Sequence, residues 1–159
     1  SDTLTHAVLY KHWDKIGGIV HTHSTYATAW AQAQRDIPVF GTTHADHNTV
    51  DIPCAPPMKD KMIMGNYEYE TGFQIINCFQ ERKLNYEEVE MVLIGNHAPF
   101  TWGSTPGKAV YNSAVLESIA EMALLTEQIN PKAPRLKEAL RKKHFERKHG
   151  PDAYYGQEK

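Results

Sequence analysis

Two histidines, His21 and His23, stand one residue apart directly after the short apolar run Ile19-Val20. If this run is a β-strand, residues i and i+2 share one face, so both imidazoles point to the same side. Two converging imidazoles can bind a metal ion. An isolated His-x-His pair is more often simply two polar residues at a strand end, because histidine has many structural roles. The pair alone leaves both interpretations open.

Polar side chains also follow the next two predicted strands. A strand predicted at residues 38–40 leads into Thr42, His44 and Asp46, which again alternate with period two. The third predicted strand, a fully apolar run, leads into His97. Each predicted strand end therefore carries side chains that can take part in a reaction or bind a ligand.

Three histidines from two strand ends, His21, His23 and His97, are the ligand set expected of a catalytic zinc ion. Such a site keeps a fourth position for a carboxylate, water or substrate. Asp2 is the candidate carboxylate. The spacing predicts a zinc site, although two polar strand ends without metal would have the same pattern.

The last predicted helix carries an apolar stripe that continues into His144 and Arg147. This stripe could direct its far end toward an anion. By pattern alone, a solvated basic helix end is the better interpretation, since cations are favoured near a helix C-terminus. The tail beyond it contains Tyr154 and Tyr155, which are typical of packing or interface positions.

A layered α/β domain must position these residues, because predicted strands and helices alternate along the chain. The apolar patterns predict strands at residues 19–22, 38–40, 91–94 and 100–102, and helices near residues 4–13, 25–33, 106–128 and 134–149. Residues 74–79 are predicted to belong to a further helix that runs to residue 83. Residues 46–65, rich in proline and methionine, predict an irregular crossing.

Composition limits the classes of function. The 159 residues carry a net charge of −2, which gives no indication of a nucleic-acid partner. No apolar run approaches the roughly 18 residues that cross a bilayer, so we expect no membrane partner. The two cysteines, Cys54 and Cys78, form no disulfide framework, and a reducing cytoplasm fits best. Nine histidines are many for this length, which favours a metal site.

Several sequence blocks resemble one enzyme family. In order they are Ser-Asp-Thr-x-Thr-His, Gly-Gly-Ile-Val-His-Thr-His-Ser, Gly-Thr-Thr-His-Ala-Asp, Ile-Pro-Cys, Asn-His-x-Pro-Phe-x-Trp-Gly and Lys-His-Gly-x-x-Ala-Tyr-Tyr-Gly-Gln. Together they resemble the L-ribulose-5-phosphate 4-epimerases of the class II aldolase/epimerase superfamily. The resemblance spans nearly the whole chain.

The resemblance implies a three-layer αβα fold with a mixed, mostly antiparallel central sheet. It also implies that residues 1–159 form a single domain that lacks the N-terminal part of the family domain, since the chain begins at Ser1 like an internal point of a longer protein. The absent part would supply loops that hold the substrate phosphate. As zinc ligands, the resemblance implies Asp2, His21, His23 and His97.

The resemblance further implies that Asp46 and Tyr155 are the catalytic acid/base residues. In the family, the tyrosine reaches into the neighbouring subunit's site within a cyclic homotetramer, so we expect active sites at subunit interfaces. Ser1 matches the last residue of a phosphate-binding Ser-Ser pair. The remaining residues expected to contact the sugar-phosphate substrate are Thr42, Glu68, His144 and Arg147.

The implied reaction inverts C4 of L-ribulose 5-phosphate to give D-xylulose 5-phosphate, a step used in both arabinose and ascorbate breakdown. Two alternatives remain. A class II aldolase would release the aldehyde, but aldolases of the family generally carry glutamate where Asp2 stands and lack the Tyr-Tyr-Gly-Gln tail. A non-catalytic association domain, such as the adducin head, would lack the three histidines.

Overall fold

The computed structural model describes residues 2–155 of the chain. Ser1, one of the predicted phosphate-binding residues, lies outside this range. In chain order the elements are α1 (Thr3–His12), β1 (Gly18–His21), α2 (Thr25–Gln32), α3 (Thr42–Ala45), β2 (Cys54–Ala55), α4 (Asp60–Ile63), α5 (Tyr67–Glu81), β3 (Met91–Ile94), β4 (Pro99–Gly103), α6 (Pro106–Ile129) and α7 (Glu138–His149).

Among these residues, four strands form one sheet in the order β1-β4-β3-β2. β4 lies antiparallel to both β1 and β3, and it pairs Phe100 with His21 on one side and with Val92 on the other. The short β2 is parallel to β3. The sheet is therefore mixed and mostly antiparallel, which confirms the prediction.

Helices cover both faces of the sheet, and the side chains of β3 are apolar on both faces. Met91 and Leu93 pack with α2 and α6, whereas Val92 and Ile94 pack with α1 and α5. This alternation follows from the period-two geometry of a strand, and a strand covered on both faces is a continuous apolar run. The three-layer αβα architecture is confirmed.

The long helix α6 begins as predicted. Pro106 occupies its first turn, and the Thr105 hydroxyl accepts a hydrogen bond from the Lys108 backbone N–H at 3.1 Å. Its buried face packs against β1, β4 and α2. Within residues 2–155, no helix, α6 included, has both the length and the apolar character needed to cross a membrane.

Two helices have starts that depend on a particular hydrogen bond. α5, which contains residues 74–79 as predicted, begins at Tyr67, where the Asn66 side chain caps it by accepting from the Tyr69 N–H. α7 begins at Glu138 instead of residue 134, because the Leu136 N–H donates to the Val39 carbonyl and holds this segment extended.

The strand predicted at residues 38–40 is wrong. Only an isolated bridge forms there, between Ile37 and Ile52, and the Val39 N–H donates to a side-chain oxygen of Asp51 instead of to a strand. The chain then enters the short helix α3, so the period-two alternation expected for Thr42, His44 and Asp46 is wrong as well. The crossing predicted as irregular contains β2 and α4.

The strand directions define two ends of the sheet. β1 and β3 are both antiparallel to β4, so they run the same way, and His21 and Ile94 lie at the same end. We name this the histidine end. The other end, which carries Gly18, Met91 and Gly103, is the Met91 end. The four residues of β3 separate the two ends by about 10 Å.

Candidate active site

Three histidines converge at the histidine end. His21 is the last residue of β1, His23 follows two residues later, and His97 lies in the turn between β3 and β4. The ring centroids are 5.0 Å apart for His21 and His23, 4.9 Å for His21 and His97, and 5.1 Å for His23 and His97. One nitrogen from each ring lies within 4.8 Å of the others, so this triad could hold a metal ion.

The turn that carries His97 is fixed by Asn96, whose φ of 62° lies in the left-handed region. Asparagine tolerates this conformation better than most residues. The Asn96 N–H donates to the Ala31 carbonyl at 3.0 Å, and Gln34 donates to the Asn96 side-chain oxygen at 2.8 Å. Helix α2 thereby holds the turn on one side of the triad.

The ring of His21 is oriented for metal binding. Its Nδ1 lies 2.9 Å from the Pro99 carbonyl, which can only accept, so Nδ1 carries the proton and donates. Nε2 then keeps its lone pair for a metal. The ring also stacks on Phe100 with centroids 4.1 Å apart.

Burial keeps two rings of the triad neutral. Desolvation lowers the pKa of His21, against the opposing effect of the Pro99 hydrogen bond, and desolvation likewise lowers the pKa of His97. Metal ligation needs the neutral imidazole, which the lowered pKa values of His21 and His97 favour, and the geometry of the three residues fits a metal ion.

Glu117, which the sequence analysis missed, fixes the chain just after His23. Its carboxylate accepts from the Tyr26 N–H at 2.8 Å and from the Ala27 N–H at 2.9 Å, and so caps α2 from the middle of α6. No local pattern could reveal this, because the partners are far apart in sequence. The cap fixes the first turn of α2, which follows directly on the segment that carries His23.

Asp2 and Glu68 also belong to the histidine end. The Asp2 carboxylate acts electrostatically on both His21 and His97, and raises their pKa values against the desolvation that lowers them. Its oxygens are not part of the set of ligand atoms within 4.8 Å, and its role as fourth ligand stays a prediction. Glu68 lies in the first turn of α5, where its carbonyl accepts from the Thr5 hydroxyl at 2.6 Å.

Asp46 is the centre of a second polar group. Its carboxylate lies 3.0 Å from His144 Nδ1 and 3.1 Å from Arg147 Nη2. Burial alone would raise the pKa of Asp46, but hydrogen bonds from Arg147 and His144 outweigh it and hold the pKa below its usual value. The interpretation of His144 and Arg147 as a merely solvated helix end is therefore wrong.

Tyr155 joins this group from the C-terminal tail. Its N–H donates to the Arg147 carbonyl at 3.1 Å, and the Arg147 guanidinium carbon lies 4.2 Å from the centre of its ring. Thr42 begins α3, and its carbonyl accepts from the Asp46 N–H at 2.9 Å. We name the residues Asp46, His144, Arg147 and Tyr155 the Asp46 cluster.

The Asp46 cluster and the triad lie at different ends of the sheet. Residues next to the cluster, His47 and His149, line a cavity of about 380 Å³ together with Glu90, Met91 and Lys108. This places the cluster at the Met91 end. Within one chain, the structure does not bring the predicted acid/base residues to the predicted metal ligands.

His44 is not part of either group. It is buried in α3, and its Nε2 donates to the Val50 carbonyl at 3.0 Å. Burial lowers its pKa to about 4, so the ring is neutral at physiological pH. This histidine, which the strand prediction placed beside Asp46 on one face, therefore contributes to packing.

Comparison with known proteins identifies relatives over nearly the full chain. Residues 1–124 match the family described as Class II Aldolase and Adducin N-terminal domain. The chain is 46% identical over 157 residues to L-ribulose-5-phosphate 4-epimerase UlaF of Salmonella paratyphi C, which covers 99% of this chain and 68% of that protein. The corresponding protein of Salmonella choleraesuis gives the same values.

Solved structures share the fold. An L-fuculose 1-phosphate aldolase superimposes with a TM-score of 0.70 and 18% identity, over 92% of this chain and 62% of its own. An L-fuculose 1-phosphate aldolase from Glaciozyma antarctica PI12 gives 0.66 and 18%, over 89% and 48%. At this identity the likeness concerns the fold alone, and the chain spans about three fifths of the first structure's length.

The family match and the curated relatives agree with the sequence blocks, so the predicted resemblance is confirmed. The triad lies within the matched residues. The chain therefore belongs to the Class II aldolase and adducin N-terminal domain family.

Proposed function

We propose that the chain acts as an L-ribulose-5-phosphate 4-epimerase and interconverts L-ribulose 5-phosphate with D-xylulose 5-phosphate. The observation that carries the proposal is the convergence of His21, His23 and His97 in a chain 46% identical to proteins with that name. A non-catalytic association role would not need three imidazoles with their ligand nitrogens within 4.8 Å.

We propose Zn²⁺ as the metal, because three imidazole donors with an open fourth position are typical of catalytic zinc. Asp2 is the proposed fourth ligand, from its electrostatic influence on His21 and His97. When bound, the ion would supply Lewis acidity to polarise the substrate carbonyl.

Cleavage of the C3–C4 bond explains how C4 can be inverted. The C4 hydrogen is not acidic, since no carbonyl is adjacent to it, and its removal would leave a carbanion that cannot delocalise. In the proposed cleavage, the C4 hydroxyl loses its proton and the C3–C4 electron pair passes into the C2 carbonyl. The resulting aldehyde rotates and presents its opposite face, and the C3–C4 bond then forms again with the configuration at C4 inverted.

Asp46 and Tyr155 are the proposed proton carriers, one for each face of the aldehyde. The lowered pKa of Asp46 keeps its carboxylate ionised, so it can accept the hydroxyl proton. The phenol of Tyr155 can give or take a proton on the opposite face. Arg147 contacts both residues and is proposed to hold them in place, together with His144.

We propose that the site is completed between subunits of a homotetramer. The triad and the Asp46 cluster lie about 10 Å or more apart, at opposite ends of the sheet, so one chain cannot apply both to one small substrate. A neighbouring subunit can present its Asp46 cluster to the triad. Glu68 would then contact the substrate from the triad's subunit, whereas Thr42, His144 and Arg147 would act from the other.

Subunit mixing tests this arrangement. Subunits carrying His97→Ala, mixed with subunits carrying Asp46→Asn, should regain activity, because some interfaces combine an intact triad with an intact Asp46. A mixture of Asp46→Asn with Tyr155→Phe should not, because both groups come from the same subunit. No recovery in the first mixture, after subunit exchange is verified by mass spectrometry, would argue against shared sites.

Turnover in deuterium oxide tests the chemistry. Cleavage of C3–C4 leaves the C4 hydrogen on carbon, so D-xylulose 5-phosphate should keep protium at C4. Mass spectrometry that finds substantial deuterium at C4 would contradict the bond cleavage. Accumulation of free glycolaldehyde phosphate without D-xylulose 5-phosphate would instead identify an aldolase.

We propose a cytoplasmic setting and a role in pentose breakdown, from arabinose or ascorbate. Cys54 and Cys78 are buried and free, and burial raises their pKa values to about 12 and about 11, so neither is a reactive thiol. Cell fractionation that recovers the protein outside the cytoplasm would contradict this setting.

A further inference from the structure

Tyr67 contacts the triad from outside it. It is the first residue of α5, and its hydroxyl oxygen lies 3.4 Å from Nδ1 of His97. The two ring centroids are 6.1 Å apart. The contact is therefore made by the tip of the phenol and not by ring stacking.

The Tyr67 hydroxyl makes the same kind of contact with His97 that the Pro99 carbonyl makes with His21. In that pair, a carbonyl at 2.9 Å from Nδ1 fixes the proton there and leaves Nε2 for the metal. A phenol oxygen can also accept a hydrogen bond, so it can fix the proton on Nδ1 of His97 in the same way. Two of the three imidazoles would then have their outer nitrogen held by a protein acceptor.

The backbone of Tyr67 is held in place by its neighbours. The Thr71 hydroxyl donates to the Tyr67 carbonyl at 2.9 Å, and the Thr5 hydroxyl donates to the Glu68 carbonyl at 2.6 Å. The second bond ties the start of α5 to α1. The phenol therefore extends from a packed helix and not from a mobile loop.

We infer that Tyr67 is a positioning residue for the metal ligand His97. It accepts a hydrogen bond from Nδ1–H and so directs Nε2 toward the metal. This inference rests on the metal site of the proposed function. It predicts that the hydroxyl of Tyr67 tightens metal binding without contacting the metal.

The variant Tyr67→Phe removes the hydroxyl and keeps the ring. The matched control is Tyr69→Phe, on the same helix, because Tyr69 is exposed to a similar extent (44% against 37%) and its ring packs on Phe73. Metal affinity is measured on the purified protein by chelator competition with Zn²⁺. The absorption bands of bound Co²⁺ report the ligand geometry, and unfolding without metal reports the fold.

We expect Tyr67→Phe to bind Zn²⁺ about 10-fold to 100-fold more weakly, with shifted Co²⁺ bands and an unchanged unfolding midpoint without metal. Tyr69→Phe should match the unmodified protein. Equal zinc affinity of Tyr67→Phe and the unmodified protein would overturn this inference alone, and so would an equal loss in Tyr69→Phe. No metal binding by the unmodified protein would overturn both the inference and the proposed metal site.

Discussion

The triad and the Asp46 cluster are built by different means. The triad sits on a strand end and a tight turn, both continuous with the buried sheet, and the ring of His21 is held by the Pro99 carbonyl. The Asp46 cluster is held by side-chain contacts of Asp46, at the end of α3, with α7: an ion pair with Arg147 and a hydrogen bond with His144. None of the residues of α7, which lies wholly within the described range, is buried.

This difference indicates two kinds of robustness. Geometry that depends on strand pairing is lost only when the sheet itself is disturbed. Geometry that depends on partly exposed ion pairs is sensitive to pH and salt. We therefore expect the metal half of the site to persist under conditions that weaken the acid/base half.

The largest effect is expected from His97→Ala, which removes one of the three imidazoles of the triad. The variant should lose tightly bound zinc and nearly all activity, since two imidazoles do not complete the site. Elemental analysis and an epimerase assay measure both losses. His12→Ala, which changes an exposed histidine in α1, is the matched control and should keep both. Stoichiometric zinc in the His97 variant would refute the assignment.

A smaller effect is expected from Arg147→Met, which should leave the zinc content unchanged. Loss of the guanidinium removes the hydrogen bonds that lower the pKa of Asp46, so that pKa should rise. The carboxylate then protonates at higher pH, and the acidic limb of the kcat/KM profile should move upward in pH. Because Arg147 also holds Asp46 and Tyr155 in place, we expect activity at neutral pH to fall by about 10²-fold, within the range for acid/base groups.

Lys143→Met, a change at an exposed position of α7, is the control for that experiment. It should leave the pH profile where it is. If Arg147→Met lost zinc together with activity, the triad and the Asp46 cluster would not be independent of each other.

Acid should lower the free energy of unfolding through the protonation of His44, which is buried in α3. Its pKa is lowered to about 4 in the fold by burial, whereas the unfolded chain has an ordinary value of 6.5. The unfolded state thus binds more protons between these values, so the stabilisation is complete above pH 6.5 and is lost as pH falls toward 4. This histidine accounts for a loss of about 3 kcal/mol at most.

Urea unfolding at several pH values measures how steeply the free energy of unfolding depends on pH. Because burial also lowers the pKa of His6, His21 and His97, the relevant quantity is the difference between the unmodified protein and His44→Gln. The variant should show a flatter dependence below pH 6.5. An identical slope in both proteins would exclude His44 as its source.

The smallest effect is expected at Asn96. Asn96→Ala forces alanine into a left-handed conformation and removes the hydrogen bond from Gln34, which should cost about 1–2 kcal/mol. Asn96→Gly restores the backbone freedom but not the hydrogen bond, so it should recover part of the loss. Thermal unfolding measures both variants. If glycine were no better than alanine, the backbone conformation would not be the cause.

Sequence alone predicted the triad because its geometry is local. The period of a strand brings His21 and His23 together, and a hairpin between two apolar strands brings His97 alongside. The sheet and its helical layers followed from the same apolar patterns. These features depend on residues that are close together in the sequence, so their preferences for strand or helix can be read from the sequence directly.

The rest of the site depends on contacts between distant segments. The resemblance alone indicates the residues of the Asp46 cluster, and the strand predicted at residues 38–40 does not lead to their position at the Met91 end. Glu117 and Tyr67 had no local pattern, since their partners lie far along the chain. Helix α3 replaces the expected alternation of polar residues, and His44 is buried within it.

The pairing of His21 with Phe100 limits how this chain can change by insertion or deletion. Removal of one residue from β1 would reverse the face on which each following side chain emerges, and would turn the metal-binding rings away from the turn that carries His97. The crossing between β2 and α5 has no such periodic constraint and can change length without moving a ligand. Length variation within the family should therefore accumulate in that crossing and be absent from β1 and β4, while substitutions remain acceptable in both.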